Sequence, residues 1–421
     1  MKLISNLLFA LFLITGCTPG GESANDFRFS TPEEPGFSSD LSAGLDDFFN
    51  RVVEEEKISG AVALIARDGA IVLEQSWGWQ NVEDEHPMEI HHLFRIASMT
   101  KAITSFAILQ LYDEGLLEFD DAVEMYIPEF ADPTVLTSFD RESGSYEFRP
   151  ASRSITLHDL LLHTSGLAYS FTHPYLGALY STREIPAILA KRGVTLEPVM
   201  ARLGEIPLAH DPGARYTYGL SSDVLGRVVE VVSGLTLADY VDKHIFEPLG
   251  MNDTGFYLHG RQEDLTTLYT FQNGSLVPVP PGPSFNTDAQ VEDGYTYYAG
   301  GAGLLSTARD YFTFLQMILN GGEWNGNRII SQKVLEFMTE DLVGDLWDDD
   351  GHSYGFAIRR DEHAVEGKRP PCTLYWGGAF QTSYWIDPAN NLIVVMKTQM
   401  TNSPYAREIN DGFERIIYSA L

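Results

Sequence analysis

The reading turns on Ala97-Ser98-Met99-Thr100-Lys101 and the apolar run that follows it, Ala102 to Leu111. Ser98 and Lys101 stand three residues apart, so on a helix they share one face. The spacing predicts a helix with Ser98 on its first turn. Ile103, Phe106, Ala107 and Leu111 form its apolar face, and Gly115 ends it. A serine hydroxyl is a weak nucleophile at neutral pH and needs a base within reach. A partly desolvated lysine one turn away can supply that base. The helix N-terminus adds free amide hydrogens and a partial positive charge, which favour negative charge beside Ser98. Ser-x-x-Lys by itself is common on exposed helix turns; two later stretches give it weight.

Working outward, strand and helix signals bracket this segment. Leu41, Leu45, Phe48, Phe49, Val52 and Val53 give the face of an amphipathic helix capped by Ser39 or Asp40. Ala61–Ala66 and Ala70–Leu73 are apolar runs joined by Asp68-Gly69, a hairpin signal. From about residue 116 to 345 the chain reads as helices and long loops. Thr156 to Asp159 starts a short helix and His163 to Gly166 turns out of it. Gly300-Gly301-Ala302-Gly303 lacks the Gly-Lys-Ser/Thr ending of a phosphate loop, so close backbone packing near a cleft accounts for it. Strands return at Ser353–Ile358, Thr373–Trp376, Ala379–Ile386 and Leu392–Thr398. A last helix carries Tyr405, Ile409, Phe413, Ile416 and Ile417 on one face. The fold expected is α/β in the α+β sense. One antiparallel sheet is built from both ends of the chain and flanked by helices, with a mostly helical lobe inserted and the site between the two.

Charge and cysteine content narrow the function. Fifty-nine acidic against 28 basic residues give a net charge of −31, which repels phosphate and argues against a nucleic-acid partner. No Cys/His cluster has zinc spacing; His86, His91 and His92 read as solvated loop histidines. No metal or organic cofactor is expected. Residues 1–17 read as an export signal: Lys2, an apolar core from Leu3 to Ile14, then Leu13-Ile14-Thr15-Gly16-Cys17. That ending resembles the bacterial lipobox, which implies a lipid on Cys17 and residence in the cell envelope. With Thr18 next, the outer membrane on its periplasmic face is expected. Residues 18–39 read as a flexible tether and 40–421 as one folded domain.

Two downstream stretches complete the constellation: Ala214-Arg215-Tyr216-Thr217-Tyr218 after the Asp211-Pro212-Gly213 turn, and Trp376-Gly377-Gly378-Ala379 in a strand. With Phe94 to Lys101 and Leu161 to Leu167, in this order, the chain resembles the serine β-lactamase and penicillin-binding superfamily. It is nearest to the class C branch and the family VIII carboxylesterases. The resemblance implies that Ser98 is acylated, that Lys101 assists it, and that Tyr216 is the general base. It places the oxyanion hole at the N–H groups of Ser98 and Ala379. Tyr218 stands where the family carries asparagine. Trp376, Gly377 and Gly378 stand where penicillin-recognising enzymes carry Lys-Thr-Gly. Trp376 offers no cation to a β-lactam carboxylate, so a neutral small-molecule ester is the expected substrate. Tyr218, Trp376 and the tyrosines 295, 297 and 298 would serve as apolar walls. The alternatives are a β-lactamase or D-amino-acid peptidase with the same nucleophile, and a non-catalytic lipoprotein that binds an envelope partner.

Overall fold

The computed structural model describes residues 27–421 apart from 187, 189–192, 259, 281–289 and 292–293. The export signal, Cys17 and the first half of the expected tether lie outside the described residues.

The centre is an eight-stranded antiparallel sheet. Its strands are β1 (Gly60–Arg67), β2 (Ala70–Asn81), β3 (His86–Pro87), β6 (Gly351–His352), β7 (Ala357–Ile358), β8 (Leu374–Gly378), β9 (Thr382–Asp387) and β10 (Leu392–Lys397). They run in the order β6-β7-β8-β9-β10-β1-β2-β3. The two ends of the chain therefore meet where Val62 of β1 faces Lys397 of β10. Asp68 and Gly69 take φ of 53° and 72° at the β1–β2 turn, the left-handed backbone that a two-residue hairpin needs.

Alternation along the strands builds two cores. Ala61, Ala63 and Ile65 face α1 (Asp40–Glu54) and α6 (Ala406–Ala420), packing with Leu45, Phe49, Ile409 and Phe413. Val62, Leu64 and Ala66 face the other way, into a cluster with α2 (Thr100–Asp113) and α5 (Ala308–Leu319). Both sheet faces are thus covered, which is why the central strands read as unbroken apolar runs. The lobe between the sheet halves holds α3 (Leu157–Leu161), α4 (Ser221–Ser233) and a hairpin of β4 (Thr134–Phe139) with β5 (Tyr146–Pro150).

Three expectations are corrected here. α2 is buried on every side from Thr100 to Leu111 rather than on one face, because it runs between the sheet and the inserted lobe. His92 is buried, not a solvated loop residue; burial and the neighbouring His91 and His86 push its imidazole down to about 4. Residues 27–39 are folded onto the body: Phe37 joins the α1–α6 core, and Ser30 N donates to Ile71 O at 3.1 Å. Phe27 packs on Phe312 and Trp324, and backbone hydrogen bonds to Ile71 and Ala420 complete the docking.

Candidate active site

Ser98 sits on a 3-10 turn, Ala97–Met99, that leads directly into α2. Ala97 holds φ of +44°, a left-handed conformation unusual for a residue with a side chain and often kept where a reactive group must be presented. Lys101 follows on the first turn of α2. Its Nζ lies 3.3 Å from Ser98 Oγ, 3.0 Å from Tyr169 Oη and 2.7 Å from the Gly301 carbonyl oxygen. It also lies 4.6 Å from the Tyr218 ring centroid and 5.3 Å from that of Tyr169.

The glycines near 300 make this convergence possible. A Cβ on Gly301 would lie 2.7 Å from Tyr169 Oη, 2.8 Å from Asp223 Oδ2 and 3.5 Å from Lys101 Nζ. A Cβ on Gly300 would collide with the Ser222 carbonyl oxygen. The sequence expectation of close backbone packing beside a cleft holds. Asp223, on the first turn of α4, is fully enclosed. Burial pushes its carboxyl up to about 6, while Lys101 and the Gly301 amide pull it down.

The third and fourth stretches arrive differently from expectation. Gly219 lies so close to the backbone of Leu167 and Ala168 that a Cβ would overlap both. That contact at the entry to α4 brings Tyr218 across Lys101. Tyr216 makes no hydrogen bond to Ser98 or Lys101 among the described residues: its ring stacks on Trp347 at 4.7 Å, and its hydroxyl is buried and unpaired. Burial holds that phenol well above its ordinary value. The tyrosines in contact with Lys101 are Tyr169, through its hydroxyl, and Tyr218, through its ring face. The sequence reading missed Tyr169; signals that could have found the pair are Gly219, whose missing side chain permits the approach, and the aromatic three residues after Gly166.

Trp376 closes one side, 5.6 Å from the Tyr218 ring and 6.2 Å from Trp347. A Cβ on Gly378 would strike the Ile96 carbonyl oxygen, so β8 ends against the turn that carries Ser98 and Ala379 follows it. Tyr295 and Tyr297 are buried packing residues, not walls. His163, read from sequence as a turn residue, is one with φ of +56°, yet its ring also lines the site 5.0 Å from Tyr218. Among the described residues no group of three or more His, Cys, Asp or Glu side chains could hold a metal ion.

A serine on a strained turn, a lysine one helical turn on, and a strand end laid against that turn between a sheet and a helical lobe define the penicillin-recognising class of serine enzymes. The β-lactamase family pattern matches residues 45–417, and the chain belongs to that superfamily of serine hydrolases and penicillin-binding proteins. Esterase EstB of Burkholderia gladioli is 32% identical over 388 residues, covering 87% of this chain and 92% of that protein. The monacolin J acid methylbutanoyltransferase of Aspergillus terreus is 28% identical, covering 89% and 95%. In fold, the chain is similar to EstCE1, a hydrolase with promiscuous acyltransferase activity, with a TM-score of 0.77 at 24% identity over 90% of this chain and 98% of that one.

Proposed function

We propose that the protein is a carboxylesterase working through an acyl-enzyme on Ser98. The observation that carries this reading is the three-way contact of Lys101 Nζ. The Gly301 carbonyl can only accept, so it takes one N–H. Its other contacts are the Tyr169 and Ser98 hydroxyl oxygens, so the Lys101 nitrogen and the Ser98 oxygen stand within reach of direct proton transfer. Lys101 is the base that removes the Ser98 proton. The ammonium it becomes is held by the Gly301 carbonyl and by the faces of Tyr218 and Tyr169. Tyr218, half-buried between Lys101 and Trp376, gives its phenol proton to the departing alcohol and takes the replacement from the Lys101 ammonium beside it. The amides of Ser98 and Ala379 stabilise the oxyanion. Burial keeps Tyr169 a neutral phenol, far above its ordinary value, so it orients the amine rather than acting as a phenolate.

Neutral esters fit best because Trp376 supplies an apolar face where a carboxylate would need a cation. Similarity to an esterase supports the same reading. The test is hydrolysis of p-nitrophenyl acetate and butyrate by the protein and by Ser98→Ala. Loss of all but background rate is expected, and equal rates would remove Ser98 from the chemistry. Nitrocefin run alongside should turn over poorly; rapid turnover would overturn the reading of Trp376. We also propose that Cys17 carries a lipid that anchors the enzyme in the envelope, as the lipobox-like ending suggests.

A further inference from the structure

Behind the site, three side chains leave polar atoms without partners. His163 Nδ1, Tyr216 Oη and His352 Nδ1 are all buried and none makes a hydrogen bond among the described residues. Their rings form a triangle: 5.8 Å from His163 to Tyr216, 5.8 Å from His163 to His352, and 5.6 Å from Tyr216 to His352. An unpaired buried polar group is costly. Three such groups in one place call for a shared partner, and a small polar molecule that both donates and accepts is the simplest one. Burial holds both imidazoles below their ordinary value, His352 at about 4, so each is neutral at pH 7 with one donor and one acceptor. The phenol likewise does both. Each free Nδ1 is a donor or an acceptor according to tautomer and the phenol can be either, so one water, with two donors and two acceptors, can satisfy all three atoms.

The triangle backs directly onto the reacting groups. His163 lies 5.0 Å from the Tyr218 ring, His352 lies 5.6 Å from Trp376, and Tyr216 stacks on Trp347. The left-handed backbone at His163, φ +56°, is kept in spite of its cost.

We propose that His163, Tyr216 and His352 form a water-holding pocket that feeds deacylation of Ser98 and so sets the balance between hydrolysis and acyl transfer to an alcohol. The inference rests on the Ser98 acyl-enzyme reading. In the step concerned, water oxygen bonds to the acyl carbonyl carbon and its proton passes to the Lys101 amine. The tetrahedral centre then collapses, the bond to Ser98 Oγ breaks, the proton returns to that oxygen, and the free acid leaves. The three side chains hold the water and are positioning residues. An alcohol entering from the open side uses the same base without them.

The test uses p-nitrophenyl butyrate with added methanol. Pre-steady-state release of p-nitrophenol reports acylation, and the ratio of butyric acid to methyl butyrate reports the fate of the acyl group. Tyr216→Phe and His352→Leu should acylate at the wild-type rate while that ratio falls about fivefold to tenfold, the worth of one lost hydrogen bond. The ratio does not depend on the fraction of protein folded, so partial unfolding of a variant leaves it readable. An unchanged ratio in both variants, or acylation slowed as much as turnover, overturns the proposal. Absence of any Ser98-dependent p-nitrophenol release from the unaltered enzyme is a different result, and it would defeat the acyl-enzyme reading instead.

Discussion

Replacing Gly301 by alanine should cripple the enzyme while leaving it folded. The backbone at 301 is not in the left-handed region, so alanine is conformationally allowed and only the new methyl group matters. That carbon would sit 2.7 Å from Tyr169 Oη and 2.8 Å from Asp223 Oδ2. Reaching ordinary contact means that the phenol must retreat by roughly 0.7 Å. The retreat falls on the hydroxyl that now lies 3.0 Å from Lys101 Nζ, and it drags the amine off Ser98. Displacements of this order at a reacting pair cost about 10²-fold in rate. The stability cost should stay within about 1–3 kcal/mol, as for other overpacked sites, because the atoms that must yield are side-chain ends. Gly300→Ala is the contrast: its methyl meets the Ser222 backbone carbonyl, so it should lower the melting temperature before it touches rate per folded molecule. The assay is kcat/KM on p-nitrophenyl butyrate beside thermal melts of both variants. A Gly301→Ala enzyme with unaltered kcat/KM would refute the claim that Tyr169, Lys101 and Asp223 crowd one point.

Further outcomes follow from the same contacts. Tyr218→Phe should lose about 10²-fold or more in kcat with little change in folding, if its hydroxyl carries the proton to the leaving alcohol. Tyr169→Phe should lose about tenfold, since Lys101 keeps its tie to Gly301; steady-state kinetics on an aryl and an alkyl ester would separate the two. Lys397 is buried with its amine 3.6 Å from the Met99 sulfur and 4.6 Å from the Tyr311 ring centroid, and burial drives it well below its ordinary value against a smaller upward pull from Asp310. The unfolded chain holds that proton at neutral pH more tightly than the fold does. Lys397→Met should therefore be more stable at pH 7, by about 1–3 kcal/mol, and the gain should vanish above the unfolded amine's pKa. Asp310 has the opposite chemistry: burial pushes its carboxyl up to about 7, so the folded state binds the proton more tightly and stability is lost as pH rises from about 4 to 7. Chemical denaturation at pH 5 and pH 8 should show Asp310→Asn gaining on wild type at the higher pH. Finally, Cys17→Ser should move the protein from the membrane to the soluble fraction of its host, read by fractionation and blotting.

Much of this protein was determined by the order of its residues alone. The hairpin at Asp68-Gly69, the two amphipathic end helices, and the strands near the C-terminus follow from local periodicity and turn chemistry, which are properties of neighbours in the chain. Ser98 and Lys101 were legible for the same reason: one helical turn fixes their relation whatever surrounds them. What only the tertiary structure decided is which distant side chains complete the site. Tyr216 and Tyr218 are chemically alike and two residues apart in sequence, so nothing local distinguishes them. The choice is made by Gly219 packing on Leu167 and Ala168, a contact between segments about fifty residues apart. Tyr169 and Asp223 were invisible for the same cause, since their roles come from a crossing point at Gly301 that exists only once the lobe has folded onto α2. The burial of α2 on all sides is likewise a property of the layers around it and not of its own pattern.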